Sequence, residues 1–172
     1  MRKRILALMA LLLTALFCFS GCSKADTKEE NTFVSSLYEA KNPYIENTSA
    51  DNDLVRLTGL GGNGKFTIEV QDASHPYTLM IRYMYLDNDV NLESMDSTMV
   101  SAAAVLLALI GDCEQVSWSY PGAGGLVTGG VTTEYINTTY DTDVKAAGED
   151  EAAFTALCGI FYPDKTATTT EE

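Results

Sequence analysis

The chain has 172 residues, 46% apolar and 20% charged, a globular mixture that excludes collagen-like, coiled-coil and wholly disordered classes. Its formal charge of −13 becomes −16 if residues 1–21 are removed, because three basic side chains and no acidic ones go with them. A surface this anionic repels phosphate backbones, which excludes nucleic acid as a partner.

Residues 1–21 have the layout of a secretory signal: a basic tip (Arg2, Lys3, Arg4), an apolar run from Ile5 to Phe19 broken only by Thr14, then small Ser20 and Gly21. The run is about 15 residues, short of the roughly 20 that span a bilayer as a helix, so the segment is expected to be cleaved. Phe19, Ser20, Gly21 and Cys22 resemble the lipobox of bacterial lipoproteins. That resemblance implies lipidation of Cys22 by a diacylglyceryl group and, with palmitate-like chains, a dual hydrophobic attachment that a single chain does not give. The expected location is the extracytoplasmic face of the cell membrane. The alternative is an ordinary secretory signal or an uncleaved helix with an incidental cysteine. Residues 22–31 then form the lipidated cysteine and a polar tether, whose nine residues after Cys22 reach about 17 Å as a flexible coil.

A single domain is expected over residues 32–165. Thr32 can cap a helix with Val34, Leu37 and Tyr38 on one stripe, ended by Asn42 before Pro43. Ser49 can cap a second helix carrying Leu54 and Leu57, stopped by Gly59. Phe66, Ile68 and Val70 alternate with polar residues as a half-buried strand, and Tyr77 to Leu86 reads as its partner after a turn at Asp72 to Pro76. Ser94 or Asp96 opens a long helix with Met99, Ala103, Leu106, Leu107 and Ile110 on one stripe; Ala102 to Ile110 is apolar on all sides, which suits a buried core helix. Val116, Trp118 and Tyr120 alternate as a third strand, PGAGG (Pro121 to Gly125) turns the chain, and Val131 to Ile136 is a weaker fourth strand. Phe154, Leu157, Cys158 and Phe161 mark a last helix before Pro163, and residues 166–172 form a polar, frayed tail. The expectation is an α+β fold: a three- to four-stranded antiparallel sheet with helices packed on one face, in the order ααββαββα.

The segments LYEAKNPYIENTSADNDLVRL (Leu37 to Leu57), HPYTLMIRYMY (His75 to Tyr85) and LLALIGDCEQVSWSYP (Leu106 to Pro121) resemble the bacterial family called domain of unknown function 4825. TDVKAAGEDEAAFTALC extends the likeness toward the C-terminus. The resemblance implies a lipoprotein or an outward-facing part of a membrane protein of Gram-positive bacteria, with a sensor or another envelope protein as partner. The family has no assigned catalytic residues, so none are carried over.

Candidate chemistry is sparse. GLGGNGK (Gly59 to Lys65) has the glycine spacing of a phosphate loop, but Phe66 replaces the hydroxyl that Mg²⁺ needs and the loop leads from helix to strand, the reverse of the required order. It reads as a connector with a positive-φ glycine. Asp87, Asp89 and Asn91 alternate like calcium ligands, yet Leu92 and Thr98 occupy the glycine and glutamate positions of an EF-hand. A weaker metal site from Asp87, Asp89 and Glu93 competes with a solvated turn before a helix. His75 is the single histidine, which excludes multi-histidine zinc sites and makes a turn histidine the simpler reading over a catalytic base. Cys113 and Cys158 can form a disulfide closing about 45 residues, worth about 4 kcal/mol, or stay as two buried thiols, which the helix stripe favours. Tyr77, Tyr83, Tyr85, Trp118 and Tyr120 can line an open sheet face, but one face must be core. No cofactor is expected. The expected function is a membrane-anchored binding or regulatory module at the cell envelope. The alternative is a small envelope hydrolase using His75 or the carboxylates from Asp87 to Glu93. About 151 residues leave no two-lobed cleft for a transporter's solute.

Overall fold

The computed structural model describes residues 32–167; the expectations for Cys22, for the segment before Thr32 and for the last five residues lie outside them. Helices α1 (Thr32–Glu39) and α2 (Thr48–Leu57) come first, and a short 3-10 turn (Leu60–Asn63) leads into strand β1 (Gly64–Gln71). Strand β2 (Thr78–Leu86), helix α3 (Leu92–Leu109), and strands β3 (Gln115–Gly122) and β4 (Gly125–Thr132) follow. The chain ends in four helices: α4 (Thr133–Tyr140), α5 (Val144–Glu149), α6 (Glu151–Phe161) and α7 (Pro163–Thr166).

The fold is mixed α+β with one four-stranded sheet in the order β1-β2-β3-β4. The sheet is not wholly antiparallel, which corrects the sequence expectation. β1 and β3 are antiparallel to β2 and β4 respectively, but β2 and β3 run parallel, with Leu79 beside Val116 and Ile81 beside Trp118. The reason lies in the length of α3. Its 18 residues rise about 27 Å, close to the roughly 30 Å of the nine-residue β2. The helix therefore returns the chain to the end of the sheet where β2 began, and the next strand must run the same way.

The order of elements also departs from ααββαββα at its end. The expected strand from Val131 to Ile136 is a strand only to Thr132, whose hydroxyl accepts the Tyr135 N–H and starts α4 instead. β4 begins earlier than its apolar residues suggest because Gly122 and Gly125 turn the hairpin tightly. Gly129 and Gly130 hide this strand in the sequence. The Trp118 indole lies where a Cβ on Gly129 would be, within 2.6 Å, so here a strand glycine marks a close approach.

Burial alternates along β2 and β3. Leu79, Ile81 and Tyr83, with Val116, Trp118 and Tyr120, face the core, while Arg82 and Met84 are exposed on the other face. Helix α3 covers the inner face. It is the one helix among the described residues long and apolar enough to cross a membrane, and its burial accounts for that composition: ten of its residues, from Met95 to Leu109, are core. Asp96 on its first turns accepts from the Tyr120 hydroxyl at 2.9 Å and the Trp118 indole at 3.4 Å, pinning helix to sheet. The other helices complete the core, burying Leu37, Leu54, Val144, Phe154 and Leu157. The outer face of the sheet carries Thr67, Glu69, Arg82 and Thr128, with an Arg82–Glu69 ion pair at 3.2 Å.

Candidate functional site

A cleft of about 930 Å³ opens where four pieces of backbone end together: the start of β2, the end of α3, the β4–α4 junction and α5. Its size falls in the range of small-molecule sites. The end of α3 forms the floor with Ala108 and Gly111, and this floor is held from behind. Asn42 N–H donates to the Leu109 carbonyl and Gly111 N–H to the Asn42 carbonyl, both at 2.9 Å. Ile45 N–H donates to Asp112 Oδ1 at 2.7 Å. The segment after α1 is thus clamped to the turn after α3 by main chain and one carboxylate.

His75 stands at the rim. Its Nδ1 lies 2.8 Å from Glu114 Oε2, which also accepts the Tyr77 N–H at 2.9 Å. A carboxylate only accepts, so Nδ1 carries the proton and donates, leaving Nε2 as an acceptor in the neutral ring. The imidazole stacks on Tyr77 at 4.1 Å between ring centres and 15° between planes. These bonds hold the Glu114 carboxyl below the usual carboxylate range, the His75 contact first and the Tyr77 N–H second. Across the cleft, Lys145 on α5 donates to the Leu107 carbonyl at 2.6 Å and the Ile110 carbonyl at 2.8 Å. α3 has no basic residue in its last turn, so Lys145 supplies the cation that its C-terminal dipole favours. Burial lowers the Lys145 pKa, against the pull of Cys113, Asp112 and Glu114.

The sequence-derived candidates are placed separately. His75 lines the cleft, but Asp87, Asp89 and Glu93 stand exposed at the opposite end of β2 and the start of α3. The Asn91 side chain caps α3 through the Glu93 N–H at 2.9 Å, and Val90 N–H closes a turn on the Asp87 carbonyl. Among the described residues no three His, Cys, Asp or Glu side chains gather to hold a metal ion. The contacts of His75 are the Glu114 carboxylate and the Tyr77 ring, so it is not paired with a serine, threonine or cysteine as in a hydrolase triad. The glycine loop becomes the 3-10 turn between left-handed Gly59 (φ 97°) and Gly64 (φ 141°), with Leu60 buried beneath it. Of the aromatic set, Tyr83, Trp118 and Tyr120 are core, Tyr77 is half-buried in the cleft wall and Tyr85 is exposed.

Cys113 and Cys158 are free, buried thiols. Burial pushes Cys113 up to about 11 and Cys158 up to about 12, so neither offers a thiolate near neutral pH. The native chain should leave both unlabelled by an alkylating reagent at about pH 8 over minutes. The denatured, unreduced chain should yield both, and a denatured chain that yields neither would show them bonded.

Sequence reading found His75 but not Glu114 or Lys145. The partners are far apart in the chain, 39 residues for His75 and Glu114 and 35 for Lys145 and Ile110, and only the fold brings them together. One local signal was present: α3 ends without a basic residue, so a cation had to come from elsewhere.

Comparison with family models matches residues 37–140 to a Domain of unknown function (DUF4825). That span holds the sheet, α3 and the His75, Glu114 and Thr133 side of the cleft, while Lys145 and Glu149 lie past it. No curated protein and no solved structure matches the chain.

Proposed function

We propose that this chain, which belongs to the family Domain of unknown function (DUF4825), is a lipid-anchored binding module on the extracytoplasmic face of the cell membrane. The observation that carries the reading is the order Phe19, Ser20, Gly21, Cys22 after a basic tip and an apolar run. A cysteine at that place has a thioether as its chemistry, and two acyl chains hold a protein at a bilayer where one does not. A binding rather than catalytic role is supported by the cleft, which has walls fixed by main-chain bonds and a histidine paired with a carboxylate rather than with a serine or cysteine. Its partners are the membrane, through the anchor, and a ligand or neighbouring envelope protein.

The test is fractionation with mass spectrometry. The wild-type chain should sediment with membranes and carry a diacylglyceryl group on Cys22. A Cys22→Ser chain should lose the modification and leave the membrane fraction. A Cys22→Ser chain of mature size that still sediments wholly with membranes would overturn the anchor.

A further inference from the structure

Exposed apolar side chains gather at one end of the domain. Helix α1 runs about 12 Å from Thr32 toward the cleft floor, where the Asn42 N–H meets the Leu109 carbonyl. At the Thr32 end, Phe33 packs edge-on against Tyr162 at 5.1 Å between ring centres, and the Tyr162 hydroxyl donates to the Thr58 carbonyl at 3.3 Å. The loop after Thr58 reaches the end of β2: the Tyr83 hydroxyl donates to the Leu60 carbonyl at 2.8 Å, and the Asp87 N–H to the Asn63 carbonyl at 3.0 Å. Because β3 runs parallel to β2, the β3–β4 hairpin finishes at this end too. Of the eight large hydrophobic side chains exposed among the described residues, six lie here: Leu57, Met84, Tyr85, Leu92, Leu126 and Ile160. Tyr44 and Tyr135 lie at the cleft end. Met84, Tyr85, Leu92 and Pro121 line one open groove of about 470 Å³, and Leu126 pairs with Pro121 beside it. A patch of this kind marks an interaction surface. Charge follows the same axis. Arg56 and Lys65 share a lining with Tyr85, and Lys165 lies over the Phe33 ring, whereas Asp112, Glu114, Glu134 and Glu149 line the cleft. Asp87, Asp89 and Glu93 border the groove, which limits any apolar contact there to a shallow one with their carboxylates in water.

We infer that this end docks on the bilayer that holds the anchor, with Met84, Tyr85, Leu92 and Leu126 at the headgroup level and Arg56 and Lys65 beside lipid phosphates. The inference rests on the anchor reading. Ten residues separate Thr32 from Cys22 and span at most about 35 Å, so the Thr32 end is the one held near the lipid. An acidic domain kept at that distance turns its least negative end to a surface of phosphates. The cleft then opens away from the bilayer, toward a ligand in the surrounding medium.

Hydroxyl-radical footprinting with mass spectrometry tests it. The lipidated chain on vesicles of phosphatidylcholine with a minor share of phosphatidylglycerol is compared with the Cys22→Ser chain recovered off the membrane. On vesicles the oxidation of Met84 and Tyr85 should slow roughly threefold or more, while Tyr44 and Tyr135 keep their soluble rates. Met84→Glu combined with Leu92→Glu, both at exposed positions, should leave sedimentation and melting temperature unchanged and return Tyr85 to its soluble rate. Failure of the anchor shows as a wild-type chain that does not sediment with the vesicles. Failure of the docking shows as a chain that sediments while Met84 and Tyr85 are oxidised as fast as in solution, and that result overturns the inference. So does protection of Tyr135 equal to that of Tyr85, or a double variant whose Tyr85 stays protected. Protection of Met84 already in the soluble chain, together with a dimer mass, would overturn it as well and assign the surface to a second copy.

Discussion

Gly148→Ala should unfold this domain well below the wild-type melting temperature, by about 10–15 °C for a loss of about 3 kcal/mol or more. Helix α5 lies directly on α3 at this glycine. A Cβ there would fall on the Ala108 carbonyl oxygen and 2.7 Å from the Ala108 carbonyl carbon. The obstacle is backbone in the last turn of the core helix, not the end of a flexible side chain, so the two helices must part. Their separation reaches the cleft as well, because Lys145, Ala146 and Glu149 ride on α5. Lys145 would then be drawn off the carbonyls that end α3. Gly159→Ala is the matched control. It sits exposed in α6 with its nearest neighbour, the Thr166 hydroxyl, 4.0 Å from the added carbon, so it should be neutral or gain up to about 1 kcal/mol. Thermal melts of both variants decide the matter: a Gly148→Ala melt within about 2 °C of the wild type would mean that α5 does not pack on α3 as described.

The contrast between those glycines shows what the sequence could and could not convey. The two strands flanking α3, the core character of Ala102 to Ile110, and the stripe Phe154, Leu157, Cys158, Phe161 were legible because burial on one face leaves a period in the chain. The parallel pairing of β2 with β3 was readable in principle, from a helix as long as its preceding strand, but the expectation of an antiparallel sheet ignored that length. Gly148 and Gly129 were opaque for a different reason. A glycine that admits an indole or a neighbouring helix has the same letter as one that turns a loop, and the object it admits lies 11 residues away for Gly129 and 40 for Gly148. The cleft was opaque for the same cause. Its residues come from four separate stretches, and only His75 carried an individual signal.

Stability should fall as pH rises from about 4 to about 6, by about 3 kcal/mol, and this dependence should vanish in Asp51→Asn. Asp51 is wholly buried in the first turn of α2. Its Oδ1 accepts from the Asn42 side chain at 2.9 Å, and its Oδ2 has no partner. Burial raises its pKa from 3.8 to about 6; the Asn42 bond opposes the rise and the Asp112 charge adds to it. Because the folded state holds the proton more tightly than the unfolded chain, it binds more protons between those values, and stability drops with pH there and levels off above about 6. Asparagine keeps the acceptor for Asn42 without the charge, but its amide N–H₂ replaces Oδ2 and stays unpaired at about 2 kcal/mol, so the net gain near pH 7 is only about 1 kcal/mol. The slope, not the gain, is therefore the measurement. Urea melts from about pH 4 to pH 7 should show a fall in the wild-type curve that the Asp51→Asn curve lacks; two parallel curves would place the titrating group elsewhere. The ionised carboxylate is tolerated because Asn42 does two things at once. Its side chain meets Asp51, and its main chain clamps Leu109 and Gly111, so the same residue that shelters a buried charge also fixes the floor of the cleft.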